Sequence, residues 1–316
     1  MPVPEALKAL VDLMPSPDLR GKFSDAFGEP RPRGKDKEPE KKDPEKEKLE
    51  AARIEKARLE RGMNIERIEK AIAGIHQLGR DGVLGLIDML AEPGKGDDVK
   101  PHFALHCLAV YVCKLEDKTH RRAFSEAVAS QLGGDRPKGV QAYLCQELGV
   151  AGGNEVAPAL GKLLTDEELG DWAIRSLVAI GDGAAEQLRA ALPNARGRCR
   201  LAILQSLGVL KDEKSLDALK AAASDPDREA RIAAVWSLAD IGDPGAADTL
   251  IKASGAEAGW ERIQATKACL ILAEKLLAAG QKDAAVRLYT HLRDTRTDPS
   301  ERYVRDAAEK GLAAAR

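Results

Sequence analysis

Two histidines, His102 and His106, stand four residues apart, with Cys107, Cys113 and His120 close by. Side chains at i and i+4 share one helix face, so such a pair could hold one metal ion through two imidazoles. A hydrolytic zinc site also needs a carboxylate between its two histidines to act as general base. Here the residues between are Phe103, Ala104 and Leu105. No second Cys/His pair follows at ligand spacing, so the two histidines read as ordinary helical residues and no metal is expected. The five cysteines (Cys107, Cys113, Cys145, Cys199 and Cys269) are odd in number, scattered and set mostly among apolar residues. That is the pattern of reduced core thiols, and none sits in a nucleophile context. Gly133-Gly134 and Gly152-Gly153 lack the following Lys-Ser/Thr of a phosphate loop and read as hairpin turns. No Gly-x-Ser-x-Gly occurs. No catalytic residue and no cofactor is expected.

The elements that carry these residues are helical. The chain has 316 residues, with 49 Lys plus Arg against 51 Asp plus Glu, a net charge of -2 that excludes a strongly basic nucleic-acid binder as a whole-chain reading. It is rich in Ala and Leu, and only 3% of residues are aromatic, which points to small helices packed closely. No apolar run of about 18 residues occurs, so no membrane span is expected. Met1-Pro2-Val3-Pro4-Glu5 does not open a secretory signal. With the reduced thiols, this favours the cytoplasm.

The chain falls into three zones. Residues 1–28 form an arm in which Leu7, Leu10, Val11 and Met14 mark one face of an amphipathic helix over Pro4 to Met14, ended by Ser16-Pro17. Residues 29–62 are a charged linker. The span 29–61 carries 12 basic and 10 acidic residues, and Pro30, Pro32, Pro39 and Pro44 fill its first half. Too little apolar surface is available there to offset chain entropy, so disorder is expected first and a solvated helix after Pro44. Residues 63–316 form an all-α body.

The body repeats. An apolar residue followed by Gly recurs at Leu78-Gly79, Leu148-Gly149, Ile180-Gly181, Leu207-Gly208 and Ile241-Gly242. Four positions before each glycine stand Ile75, Cys145, Leu177, Leu204 and Leu238, and seven before it Ile72, Ala142, Ile174, Leu201 and Val235. Columns three residues apart lie near one helix face. The last three intervals between glycines are 32, 27 and 34 residues, one helical hairpin each. The glycine is expected to end each first helix in the left-handed conformation. Asp182, Asp212 or Asp243 can then cap the second helix of the hairpin. Leu160, Leu188, Leu219 and Leu250 mark the second helices.

The segment Asp225-Pro226-Asp227-Arg228-Glu229-Ala230-Arg231 through Asp240-Ile241-Gly242-Asp243-Pro244 closely resembles the HEAT-like repeat, of the short bacterial type also seen in phycobilin lyase subunits. The resemblance covers about 140–275 and weakens over 63–139. In that family Arg and Asp at such turns bridge neighbouring repeats, which implies structural roles for Arg231 and Asp243. Leu272-Ala273, Leu276-Leu277, Gly280, Ala284-Ala285 and Tyr289 resemble one tetratricopeptide-type hairpin without its early Trp and loop Pro. Ser300 to Ala315 reads as a capping helix.

The expected fold is a right-handed α-solenoid of stacked helical hairpins, a HEAT-like superhelix of roughly seven units. The expected activity is non-catalytic binding of a protein partner on a concave face built from the second helices. Lys162, Arg189, Lys220 and Lys252, one per repeat beside the Leu column, would form a basic stripe for an acidic peptide. No small-molecule substrate and no membrane is expected, and nucleic acid is not the expected partner. Two alternatives remain, each from the resemblance: an enzyme subunit of the bilin-lyase type, and a HEAT-like nucleic-acid binder. For the latter, Asp171, Trp172, Arg175 and Trp236 would form a base-binding wall.

Overall fold

Ala and Leu at helical spacing, cut at short intervals by Gly and Asp-Pro, favour a series of helices that satisfy their own backbone hydrogen bonds. A computed structural model of the chain describes residues 3–15 and 64–316, and over these it is helix and turn with no strand. The fold is an all-α solenoid. The expected linker, 29–62, and the remainder of the arm, 16–28, lie outside the described residues. The chain divides into two compact units, Met1–Gln131 and Leu132–Arg316.

The first unit opens with α1 (Val3–Leu13). A helix whose described part covers 64–77 (α2) follows, then α3 (Gly79–Asp88), α4 (Val99–Lys114) and α5 (Lys118–Ala129). Leu7, Val11 and Met14 are buried, as the period of α1 requires. The seat for α1 is made by small residues. A side chain at Gly85 would collide with Leu7, and one at Gly74 would come within 2.7 Å of Leu10 Cδ2. Lys100 Nζ adds a bond to the carbonyl of Asp12 at 3.0 Å, near the last turn of α1.

The second unit is a run of hairpins: α6 (Lys138–Ala151) with α7 (Ala157–Gly161), α8 (Gly170–Ile180) with α9 (Ala184–Ala191), and α10 (Gly197–Val209) with α11 (Leu216–Ala222). Then come α12 (Arg228–Ile241) with α13 (Ala247–Ser254), α14 (Trp260–Ala278) with α15 (Lys282–Thr295), and a closing helix α16 (Arg302–Ala314). Ile75, Cys145, Leu177, Leu204 and Leu238, the column four before each glycine, are all 0% exposed. So are Leu160, Leu188, Leu219 and Leu250 on the second helices. Each such leucine is worth a few kcal/mol of burial, and removal of any one costs about 2–5 kcal/mol.

The glycines divide into two kinds, against the single role expected for them. Gly181 and Gly242 end α8 and α12 with φ of 76° and 82°, where a Cβ would be strained. Gly149 and Gly208 lie inside α6 and α10. There they admit a neighbour: a Cβ at Gly208 would stand 2.6 Å from Ser237 Cα, and one at Gly149 would stand 3.5 Å from Ser176 Cα. At both places the serine hydroxyl donates to a carbonyl of the preceding first helix, Ser176 Oγ to Cys145 O at 2.6 Å and Ser237 Oγ to Leu204 O at 2.8 Å. These bonds are buried, so they satisfy the hydroxyl and fix the register of one repeat on the next.

Of the expected aspartate caps, Asp243 accepts from Gly245 N at 2.7 Å. Asp212 makes no cap and pairs with Arg189 instead. Gly183, not Asp182, enters α9 in the left-handed region. Ion pairs tie successive repeats: Arg200 to Asp225 at 2.7 Å, Arg231 to Glu261 at 2.6 Å and Arg262 to Glu301 at 2.7 Å. Arg231 engages both carboxylate oxygens of Glu261 and donates to the carbonyl of Asp225, so it bridges repeats as the resemblance implied.

Candidate functional site

The junction of α8 and α10 departs from its neighbours. At the position of Ser176 and Ser237 in the repeat, α10 carries Ile203, which is 0% exposed. A branched aliphatic side chain cannot donate to the preceding carbonyl, so this junction lacks the buried hydroxyl–carbonyl bond that Ser176 and Ser237 make. Nothing would lie within 4 Å of a Cβ on Gly181. The α8–α10 contact is correspondingly less extensive than α6–α8 or α10–α12.

Between these two helices lies a cleft of about 480 Å³. Its floor and walls are Ile174 and Val178 from α8 and Leu201, Gln205 and Val209 from α10. Val209 is 62% exposed, which leaves an apolar side chain in water at one lip. Asp171 and Arg198 form an ion pair across the start of the two helices. The Arg175 guanidinium lies 5.8 Å from the centre of the Trp172 ring and meets no carboxylate among the described residues. The cleft is therefore apolar in the middle and charged at its edge.

All three tryptophans of the chain stand on first helices of this unit, and none is buried. Trp172 is on α8 and Trp236 on α12, both half-buried, and Trp260 opens α14 at 58% exposure. Trp236 Nε1 donates to Gln264 Oε1 at 3.0 Å, which fixes its ring against α14. Ile263, one turn beyond Trp260, is 40% exposed. Exposed aromatic and apolar groups on one layer of helices are characteristic of an interface core.

The four cations picked from the second helices do not behave alike. Lys162 and Lys252 are exposed. Arg189 is half-buried and paired with Asp212 Oδ1 at 2.5 Å, so it ties one repeat to the next. The Lys220 ammonium lies 3.5 Å from where a Cβ on Gly245 would stand, beside the Asp243 turn.

Burial pushes the Cys145 and Cys269 thiols up to about 12, and it also raises Cys113 and Cys199. His102 Nδ1 sits 3.0 Å from Asp98 O and 3.1 Å from Asp98 Oδ2, at its own helix start. Among the described residues, no three His, Cys, Asp or Glu side chains converge as a metal site. No described helix is long and apolar enough to cross a membrane. His76, Tyr111 and His120 meet in the first unit, a grouping that no local sequence signal announced because its members come from three helices.

Residues 185–270 match the family model described as HEAT repeats. No curated protein matches the chain. Among solved structures, an engineered protein is 18% identical with a TM-score of 0.41, over 80% of this chain and 74% of that one. The complex of CpcE and CpcF of phycocyanin lyase from Nostoc sp. PCC7120 is 18% identical with a TM-score of 0.37, over 73% and 94%. Human deoxyhypusine hydroxylase in complex with glycerol is 17% identical with a TM-score of 0.31, over 79% and 90%. The match thus identifies HEAT repeats over 185–270, the stretch that holds the buried Leu188, Leu204, Leu219, Leu238 and Leu250 and the Arg231–Glu261 bridge between repeats.

Proposed function

We propose that this chain is a non-catalytic scaffold that binds a protein partner, and that the partner lays an amphipathic helix along the first helices of the second unit, anchored between α8 and α10. The observation that carries this reading is the placement of all three tryptophans, unburied, on first helices of the same unit whose α8 and α10 flank an apolar cleft. Every first helix from α6 to α14 stacks on the next, whereas the shorter second helices touch one another less. This reading puts the partner on the first helices, where the exposed aromatic groups stand, in place of the second helices expected from sequence. A groove between parallel helices, apolar within and charged at its rim, suits the apolar stripe of a partner helix. Arg175 favours an acidic residue beside that stripe. Lys162 and Lys252 add only the small energy of solvated charges.

A displayed library of helical peptides, panned against the full chain, should yield sequences with apolar residues at i, i+3, i+4 and i+7. Val178→Asp combined with Val209→Asp should weaken the selected peptides by about tenfold or more. Lys162→Glu combined with Lys252→Glu should change affinity by less than about threefold. Undiminished binding to the Val178→Asp, Val209→Asp protein, with its helix content intact, would reject the cleft as the anchor.

A further inference from the structure

The first unit holds a second cleft, unrelated to the partner-binding face. It measures about 350 Å³, at the small end of the range for ligand pockets. Its base is apolar: Val83 from α3, Leu108 and Val112 from α4, and Phe124 from α5, each at most 5% exposed. Its mouth carries the opposite chemistry. His76 from α2, Arg80 from α3 and His120 from α5 stand there, and no acidic side chain lines the cleft. The His76 ring packs edge-on against His120 at 4.7 Å and against Tyr111 at 5.4 Å. Burial, and then His120, hold His76 below the usual histidine range, so it is neutral near pH 7 and presents one N–H and one acceptor. Asp117 approaches His120 Nε2 only at 4.0 Å, outside the cleft lining, and its Oδ1 is occupied in capping α5 through Thr119 N. Arg80 donates to Ser130 Oγ at 3.0 Å and meets no carboxylate among the described residues.

A guanidinium without a counter-charge at the mouth of an apolar cavity calls for an anion with a greasy tail. One guanidinium and two imidazoles suit a monoanion with two planar oxygens, because Arg matches a carboxylate through paired N–H groups. A phosphate dianion alone would leave the apolar base unfilled. We propose that the first unit binds a small carboxylic acid bearing an alkyl or aryl tail, with the carboxylate held at Arg80, His76 and His120 and the tail seated on Val83, Leu108, Val112 and Phe124. Nothing in the cleft points to turnover of such a ligand. It is a binding site, distinct from the proposed protein contact.

Octanoate is the probe, with octanol and inorganic phosphate as controls, added to full-length protein carrying labelled Val and Leu methyl groups. The Val83, Leu108 and Val112 methyl signals should shift and saturate with octanoate. Octanol should bind about tenfold more weakly, the usual order for loss of one charge-assisted contact, and phosphate should leave the methyl signals in place. Arg80 is exposed, so Arg80→Gln should keep the fold; it should weaken octanoate to the level of octanol and leave octanol unchanged. Ala123 is exposed at the rim, and Ala123→Trp should block both tailed probes. No saturable shift with octanoate would overturn the proposal, as would equal affinity for octanoate and octanol. Unchanged octanoate binding by either variant with a native methyl spectrum would overturn it too.

Discussion

The α10–α12 and α8–α10 junctions are built from the same repeat and do opposite things. At α10–α12, Gly208 lets α12 come close, and the Ser237 hydroxyl bonds the Leu204 carbonyl at 2.8 Å. At α8–α10, Ile203 takes the serine's place, and a cleft of about 480 Å³ lies between the two helices. The seam that carries the serine bond is closed, and the one that lacks it borders a groove. In a repeat array each junction depends chiefly on its nearest neighbours, so such a local change need not disturb the rest.

The largest effect expected from breaking this contrast is at the tight seam. Gly208→Ala places a Cβ against the Ser237 backbone and should cost about 2 kcal/mol, as overpacked interiors do. The matching change at the open junction, Gly181→Ala, meets no neighbour, so its cost is backbone strain alone at φ 76° and ψ -61°, about 1–3 kcal/mol. Tryptophan emission during urea unfolding measures both, and it reports the second unit alone because every tryptophan lies there. A loss under about 0.5 kcal/mol for Gly208→Ala would show that the seam is not tight.

Two changes of intermediate size sharpen the comparison. Ser237→Ala removes a buried hydroxyl–carbonyl bond and leaves that acceptor without it, for about 1 kcal/mol by the same unfolding curve. Arg189→Glu sets a carboxylate beside Asp212, whose Oδ2 is already buried without a partner. It should cost about 1–2 kcal/mol, while Lys162→Glu should stay within about 0.5 kcal/mol. Similar small losses for both would mean that Arg189 is a free surface cation and would restore the four-membered basic stripe.

The smallest effect is acid sensitivity. Arg231 holds the Glu261 carboxyl below its ordinary range, and the Asp227 backbone N–H, with Arg200, does the same for Asp225. A carboxyl depressed by folding contributes stability above its unfolded value and loses it as pH falls through the folded value. The second unit should therefore lose stability as pH drops below about 4, and Glu261→Gln should flatten that slope by a few tenths of a kcal/mol. An unaltered slope in the Glu261→Gln protein would remove the Arg231 pair from the account.

The buried architecture was legible because burial imposes a period. The column of Ile75, Cys145, Leu177, Leu204 and Leu238 can be read by counting back from the glycines, and all five are fully buried. The role of each glycine was not legible. Gly149 and Gly208 look like Gly181 and Gly242 in sequence, and the difference between them includes a serine in the next first helix, 27 and 29 residues further on. The proposed recognition face departs from the expected one for a related reason. Regular spacing on the second helices drew attention to Lys162, Arg189, Lys220 and Lys252, but spacing does not reveal that Arg189 already has Asp212. The exposed aromatic groups of Trp172, Trp236 and Trp260 were visible as residues and unreadable as a surface, since exposure depends on how neighbouring helices cover them.

Hydrogen exchange on the full chain, with and without the tightest peptide from the displayed library, tests the central claim most directly. The first-helix account predicts new protection over 171–178 and 198–209, the two banks of the cleft. Protection confined instead to 157–161, 184–191, 216–222 and 247–254 would place the partner on the second helices and contradict it.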